Sequence, residues 1–207
     1  MVETSSARQT EKQTEKIDFE LKCATDPGWA QVIADNFEPF LQDHANCERK
    51  ASALAMSLLM KYADRPEIIP HMIRLAQEEL EHFRQVYALM EARGIPIGKE
   101  IKDPYVNQLL DACRTSPEER FLDRMLISSV IEARGAERFN LVAEALSEPE
   151  LKAFYKRLWA SELKHGHLFV NLLLHYFPRP VIEQRLDELL AFEAEIIPRL
   201  EWRPSLH

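Results

Sequence analysis

The sequence predicts an all-α protein built on four long helices. Glycine accounts for only five of the 207 residues, and apolar residues recur at steps of three and four. Prolines fall near the ends of the helical segments, where they are best tolerated. No segment reads convincingly as a strand, and the length suits one domain with a substantial core.

The first two long helices, A and B, follow a short helix that begins after Asp26. Helix A is predicted over 37–63. Helix B begins near Pro66 and stops at Gly94, a residue suited to the left-handed position just past a helix end. Pro70 is expected to disturb the first turns of helix B.

The segment 95–116 is too long for an ordinary connection, and it carries a small helix around 105–112. It predicts a crossover along a helical bundle. Helix C is predicted over 116–146, with Ser116 as the N-cap, Pro117 in the first turn and Glu119 as the capping-box acid. Ser147, Pro149 and Glu150 repeat this start signal for helix D, which ends just before Pro178, and a final amphipathic helix covers 180–197. Residues 1–18 lack an apolar stripe, so we expect a mobile tail followed by one domain over 19–207.

Composition narrows the class of protein. The formal charge of -8 gives no global attraction for nucleic acid. The longest apolar run, 51–60, is about half of what a bilayer-spanning helix needs, and the first residues do not resemble a signal peptide. Three cysteines form neither a CxxC pair nor an even set. We therefore expect a soluble cytoplasmic protein with reduced thiols and no membrane partner.

Two Glu-x-x-His pairs lie on the predicted helices B and D. Glu79 and His82 form the first pair, and Glu162 and His165 form the second. Residues three apart are neighbours on one helical face, so each pair offers a carboxylate and an imidazole together. A single pair would mean little, because glutamate and histidine are common on helices.

An inward glutamate on the preceding helix accompanies each pair. Glu48 lies 31 residues before Glu79, and Glu132 lies 30 before Glu162. At 1.5 Å per residue, Glu48 and Glu79 stand about 22 and 20 Å from the turn that joins their helices. The second half gives nearly the same heights, so all six side chains can meet at one depth.

Such a group needs cations, because unpaired carboxylates in an apolar core are costly or take up protons. Four carboxylates and two divalent ions balance in charge when the imidazoles are neutral. Oxygen and nitrogen ligands without thiolate favour iron or manganese. One Glu from each of two helices and Glu-x-x-His from the other two is the pattern of ferritin-like di-iron proteins, so the predicted fold is a ferritin-like four-helix bundle with a long crossover and short helices at both ends.

The alternative is a metal-free bundle whose glutamates face water or pair with Arg49, Arg134 and Arg138. Several neighbouring residues are not expected to be ligands. Glu78 and Glu81 lie outside the apolar stripe and should be solvated. His44 and His167 should be surface histidines or should support a ligand. Cys47 should be a small core residue.

The segments 43–51 (DHANCERKA), 78–83 (EELEHF) and 161–165 (SELKH) resemble the bacterial tRNA 2-methylthio-N6-isopentenyladenosine hydroxylases. The similarity runs over about 21–200, and the surroundings of Glu48 and the Trp29 segment carry its specific part. It implies a non-haem di-iron monooxygenase that uses dioxygen to hydroxylate the isopentenyl side chain of a modified adenosine in the anticodon loop. The ligands it implies are Glu48, Glu79, His82, Glu132, Glu162 and His165.

The resemblance also implies two partners. Two electrons must come from a separate ferredoxin or reductase, because no flavin or nicotinamide motif is visible. For tRNA, a basic strip on helix D is the candidate contact: Lys152, Lys156, Arg157 and Lys164, with Lys50, Arg134 and Arg138 as a possible rim. The competing functions are a ferritin-like iron oxidase, another di-iron oxidase with a small substrate, and a metal-free interaction module.

Overall fold

A computed structural model of the chain describes residues 16–207, and all regular structure within that part is helical. The α-helices are α1 (Gly28–Asp35), α2 (Phe37–Lys61), α3 (Ile69–Ala92), α4 (Pro104–Asp111), α5 (Pro117–Ala145), α6 (Pro149–Leu172) and α7 (Arg179–Ile196), with 3-10 turns at Leu173–His175 and Ile197–Arg199.

The bundle consists of two closely packed hairpins. The predicted helices A, B, C and D are α2, α3, α5 and α6; α2 packs on α3, and α5 packs on α6. The chain between α3 and α5 carries α4 and joins the two hairpins. The predicted all-α bundle, with its crossover and short additional helices, is confirmed.

Proline and glycine set the ends of α3. Gly94 adopts a φ of 67°, the left-handed conformation expected there. The predicted start at Pro66 is wrong, because the chain winds through turns until Ile69. Pro70 does not disturb α3; it lies in the first turn, where its missing N–H leaves no helical hydrogen bond unmade.

The serine caps predicted for helices C and D do not form as expected. The hydroxyl of Ser116 donates to the carboxylate of Glu119 and accepts no backbone N–H of α5. At α6 the N-cap residue is Glu148 rather than Ser147. Proline in the first turn marks both starts correctly.

Two apolar clusters occupy the two ends of the bundle. One includes Leu58, Met72 and Phe169, and the other includes Phe40 and Val86. Each long helix contributes to both clusters, and its predicted ligands lie between the two contributions. The fold therefore confines these polar side chains to one layer across the bundle.

The described part of the predicted tail lies against the bundle. Ile17 is 2% exposed, its N–H donates to Asn171 Oδ1 over 2.8 Å, and its carbonyl accepts from Asn171 Nδ2 over 3.0 Å. The chain is thus attached before residue 18. The rest of the predicted tail, 1–15, lies outside the described residues. None of the helices in 16–207 combines the length and apolarity needed to cross a bilayer.

Candidate metal centre

The structure brings all six predicted ligands together. Glu48 comes from α2, Glu79 and His82 from α3, Glu132 from α5, and Glu162 and His165 from α6. Four of the six are at least 96% buried, and His82 and Glu132 are partly buried. Each helix places its ligands at the same level because the antiparallel hairpins have nearly equal arms.

The six residues form two overlapping groups of four. The groups are Glu48, Glu79, His82 and Glu162, and Glu79, Glu132, Glu162 and His165, and one ligand atom from each member lies within 4.8 Å of the others in its group. Glu79 and Glu162 belong to both groups. The arrangement offers two adjacent cation positions that share two carboxylates.

Both histidines turn Nδ1 toward the shared carboxylates. Nδ1 of His82 lies 3.3 Å from Glu79 Oε2 and 3.3 Å from Glu162 Oε1. Nδ1 of His165 lies 2.8 Å from Glu79 Oε1 and 3.0 Å from Glu162 Oε2. The same ring nitrogen is therefore available at both positions.

The centre contains buried carboxylate oxygens whose hydrogen-bonding capacity is unmet. Within the described residues, Oε1 of Glu79 and Oε1 of Glu162 are buried and accept no hydrogen bond, although histidine nitrogens lie nearby. An unsatisfied buried carboxylate oxygen costs free energy that a bound cation would recover. Together with the purely oxygen and nitrogen donor set, these oxygens fit a pair of iron or manganese ions.

Burial and mutual repulsion disfavour ionisation of several of these glutamates. Burial raises the pKa of Glu48 and of Glu132, and burial together with the charge of Glu162 raises the pKa of Glu79 to about 7. Burial also opposes charge on His165, but the nearby carboxylates of Glu162 and Glu79 outweigh it and raise the histidine pKa to about 12. A protonated His165 would thus offset part of the carboxylate charge when no metal is bound.

His44 supports Glu48, which is one of the two roles expected for it. It is fully buried, with Nε2 2.7 Å from Glu48 Oε1 and Nδ1 3.2 Å from the hydroxyl of Tyr155. Burial lowers the pKa of His44 to about 3, so the ring is neutral. The neutral ring can donate from Nε2 to Glu48 while Nδ1 accepts from Tyr155, and it thereby fixes the Glu48 carboxylate.

Glu78 is the residue that sequence reasoning missed. Its side chain is 57% exposed, as expected, but its Oε2 accepts from Nε2 of His165 over 2.9 Å. Glu78 therefore orients His165, a predicted ligand on α6. Glu81 does face solvent and pairs with Arg84, and His167 is partly exposed and pairs with Asp18 away from the centre.

The arginines do not neutralise the glutamate cluster. Arg134 is buried against Glu193, Arg138 donates to the carbonyl of Leu206, and Arg49 pairs with Glu100. Two of these contacts also correct the predicted RNA-binding rim. Arg134 and Arg138 cannot contribute to it, because both are buried in the protein interior.

A cavity of about 260 Å³ adjoins the centre. It reaches all four glutamates, and most of its wall is apolar, supplied by α2, α4 and α5. Residues that line it beyond the ligands include Cys47, Ala51, Leu54, Val106, Ile127, Ile131, Gly135, Phe139 and His207. Cys47 is half-buried at this wall and packs against the apolar cluster that contains Phe40 and Val86, in line with the small core residue expected for it. The cavity can admit a small apolar group to the carboxylates.

Comparison with known proteins places the chain in a family. The family described as tRNA-(MS[2]IO[6]A)-hydroxylase (MiaE) matches residues 12–207. Two relatives carry the name tRNA 2-(methylsulfanyl)-N(6)-isopentenyladenosine(37) hydroxylase. The one from Pseudomonas putida is 35% identical over 88% of both chains, and the one from Salmonella typhimurium is 31% identical over 73% of this chain and 74% of its own.

A solved structure shows the same fold. It is described as "Protein 43 with aldehyde deformylating oxygenase activity from Synechococcus", has a TM-score of 0.87 and 34% identity, and covers 92% of this chain and 96% of its own. The ferritin-like fold expected from the ligand pattern is thereby confirmed. With a family match across nearly the whole chain and a relative 35% identical to it, the chain belongs to the tRNA-(MS[2]IO[6]A)-hydroxylase (MiaE) family.

Proposed function

We propose that the chain hydroxylates the isopentenyl side chain of 2-methylthio-N6-isopentenyladenosine in tRNA, with two iron ions and dioxygen. The observation that carries the proposal is a buried six-residue centre at the end of an apolar cavity, in a member of this hydroxylase family. The names of both relatives support this substrate.

The ligand roles follow from the two overlapping groups. Glu48 and His82 would help to hold one iron ion and Glu132 and His165 the other, while Glu79 and Glu162, which belong to both groups, would serve both. Four carboxylates then balance two divalent ions. Bound iron would supply the dioxygen chemistry by which one oxygen atom enters a C–H bond and the other leaves as water.

The residues of the chain would position the substrate and keep water away. The apolar wall of the cavity suits a five-carbon alkenyl group and excludes bulk water from the carboxylates. Glu78 would hold the proton on Nε2 of His165, so that Nδ1 keeps its lone pair for metal. His44 would hold Glu48 in the same way through Nε2–H.

The reaction needs two electrons and two protons from outside the substrate, since dioxygen yields one hydroxyl and one water. A separate ferredoxin or reductase would provide the electrons. The tRNA contact on α6 stays a prediction. Lys152 and Lys156 both contact Glu144, and none of the four predicted basic residues of the strip lines the cavity. A tRNA substrate would place the enzyme in the cytoplasm.

A second candidate is an oxygenase that deformylates an aldehyde with an apolar chain. The activity named for the Synechococcus protein and the apolar lining of the cavity favour it. An iron oxidase would share the ligands, but the mostly apolar cavity at the centre does not suit the binding of a hydrated iron ion as substrate.

The test supplies iron-loaded protein with isopentenylated tRNA, dioxygen and a chemical reductant, and then analyses nucleosides by mass spectrometry. A gain of one oxygen atom by the modified adenosine is expected, with no gain for the Glu132→Ala variant. No gain with wild-type protein, while a long-chain aldehyde is consumed by the same preparation, would replace this proposal with the second candidate.

A further inference from the structure

Gly135 lies inside α5, one helical turn after Glu132, and lines the cavity. Glycine weakens a helix interior relative to alanine, so its presence there needs a reason. Its backbone is not left-handed, since Gly94 is the one described glycine with positive φ. A Cβ built on Gly135 would meet only Cε1 of His207, at 3.8 Å, within 4 Å. A methyl group would therefore fit at Gly135 without a clash, in ordinary contact with His207, and its absence leaves that much more room at the cavity wall.

Gly166 shows what a packing glycine looks like in the same hairpin. A Cβ built there would approach the carbonyl oxygen of Ser129 to 3.2 Å and the backbone nitrogen of Ala133 to 3.4 Å. Close contact between α5 and α6 explains Gly166. No comparable contact explains Gly135, and what it adds is width to the cavity beside the metal centre.

His207 forms the wall opposite Gly135 and is held firmly. The preceding N–H, of Leu206, donates to Asp43 Oδ2 over 2.8 Å, and the Leu206 carbonyl accepts from Arg138 over 2.7 Å. The His207 ring stacks on Tyr105, with centroids 5.3 Å apart and planes 16° apart. Residues of α2, α4 and α5 thus fix the position of the ring.

The His207 ring has an unused hydrogen-bonding atom. Its Nδ1 is buried and has no hydrogen-bond partner within residues 16–207. Burial lowers the pKa of His207 to about 4, so the ring is neutral at physiological pH and one nitrogen is an acceptor. Cε1, which is bonded to Nδ1, is the atom that faces Gly135. This edge of the ring can therefore accept a hydrogen bond from a ligand.

We propose that Gly135 and His207 select the N6-alkylated adenine: Gly135 gives the alkyl group room, and Nδ1 of His207 accepts a hydrogen bond from the exocyclic N6–H. The inference rests on the proposed function and names two specificity-determining residues for it. The distance along α5 and the length of the alkyl chain are similar. Gly135 is about 4.5 Å along α5 from Glu132. The four bonds from N6 to the end of an isopentenyl chain span roughly 5 Å.

The effect of Gly135 on the width of the cavity is tested with Gly135→Ala and Gly135→Val in iron-loaded protein without reductant. Dissociation constants are measured for N6-isopentenyladenosine and for N6-methyladenosine. Added methyl groups should weaken isopentenyladenosine binding by about ten- to two-hundredfold, more for valine than for alanine, with a smaller effect on the methyl compound. Iron content and melting temperature should not fall, which separates lost room from lost folding.

The hydrogen bond is tested with His207→Phe, which keeps an aromatic ring against Tyr105 and removes both nitrogens. The probes are N6-isopentenyladenosine and 6-O-isopentenylinosine, in which an ether oxygen replaces N6–H. Wild-type protein should prefer the N6 compound by about tenfold or more, and the variant should show no preference.

Unchanged isopentenyladenosine binding in Gly135→Val, or an unchanged preference in His207→Phe, would overturn the inference even if wild-type protein hydroxylates tRNA. Wild-type protein that neither binds N6-isopentenyladenosine nor hydroxylates isopentenylated tRNA would overturn the proposed function, and this inference with it. The two failures are therefore distinguishable.

Discussion

At the residue scale, Glu132 is the proposed ligand whose loss should be most informative. It is the one metal-centre residue that α5 supplies, so Glu132→Ala leaves one position without its terminal carboxylate. Metal at a hundred times its dissociation constant stabilises a protein by about 2.7 kcal/mol. We expect added Fe²⁺ or Mn²⁺ to raise the melting temperature of wild-type protein clearly and that of the variant much less.

The helical circular dichroism of metal-free Glu132→Ala should match that of metal-free wild type, because the bundle does not depend on this carboxylate. An equal metal-induced rise in the melting temperature of both proteins would show that Glu132 does not bind metal.

Glu78 tests whether the support of a ligand matters as well as the ligand itself. Loss of a carboxylate that orients a metal-binding histidine typically weakens metal binding by about 10- to 100-fold. Glu78→Ala should show a loss in this range by metal titration. The matched control is Glu81→Ala on the same helix, whose partner is Arg84 and which should bind metal like wild type. Equal metal affinities of Glu78→Ala and Glu81→Ala would show that Glu78 does not support the metal centre.

That these six residues meet in one centre could be predicted, because they repeat at helical spacing in both halves of the chain. Glu78 could not, because it looks like an ordinary exposed acid on α3. Its role depends on how α3 lies beside α6, where His165 presents Nε2 to it. The spacing of residues within α3 gives no indication of that contact.

At the scale of elements, the contact between α5 and α6 depends on Gly166. A methyl group there must displace backbone atoms, and overpacking of this kind costs about 1–3 kcal/mol. Gly166→Ala should lower the free energy of unfolding in urea by that amount. Gly135→Ala, where a methyl group meets only His207 at an ordinary contact distance, should leave the free energy of unfolding unchanged or raise it by about 0.5–1 kcal/mol. A lower free energy of unfolding for Gly135→Ala than for Gly166→Ala would contradict this account of the contact between α5 and α6.

Asp123 ties α5 to α7 and to the segment before α5. Its buried carboxylate lies 2.7 Å from Arg114 and 2.9 Å from Arg185. Burial alone would raise the Asp123 pKa, but hydrogen bonds from Arg114 and Arg185 outweigh it and hold the pKa below 3.8. A lowered folded-state pKa stabilises the protein fully above the unfolded value, and this stabilisation is lost as the pH falls through the folded value.

We therefore expect Asp123→Asn to lower the free energy of unfolding at pH 7 by roughly 3 kcal/mol. The difference from wild type should shrink as the pH falls below 3.8, measured by urea unfolding at several pH values. A difference that stays constant down to the lowest pH would show that the charge of Asp123 is not what holds these elements together.

Helix ends were predictable where a local signal decides them. Pro117 and Pro149 begin α5 and α6, and Gly94 ends the turn after α3. The start of α3 was missed because two prolines, Pro66 and Pro70, offered the same signal. The turns between them, which delay α3 until Ile69, follow no pattern that the sequence displays.

At the scale of the whole molecule, the bundle is two apolar clusters with a polar layer between them. The level of this layer could be predicted by counting residues along each helix. The cavity could not, because α4 and the segment 205–207 complete its wall through contacts between residues distant in sequence. Leu206 with Asp43 and His207 with Tyr105 are examples.

Anomalous diffraction from crystals of iron-loaded protein tests the two-metal centre most directly. Two iron peaks about 3.5–4 Å apart are expected, both contacted by Glu79 and Glu162. One should also contact Glu48 and His82, and the other Glu132 and His165. A single peak, or iron bound away from these six residues, would contradict the centre on which the proposed hydroxylation depends.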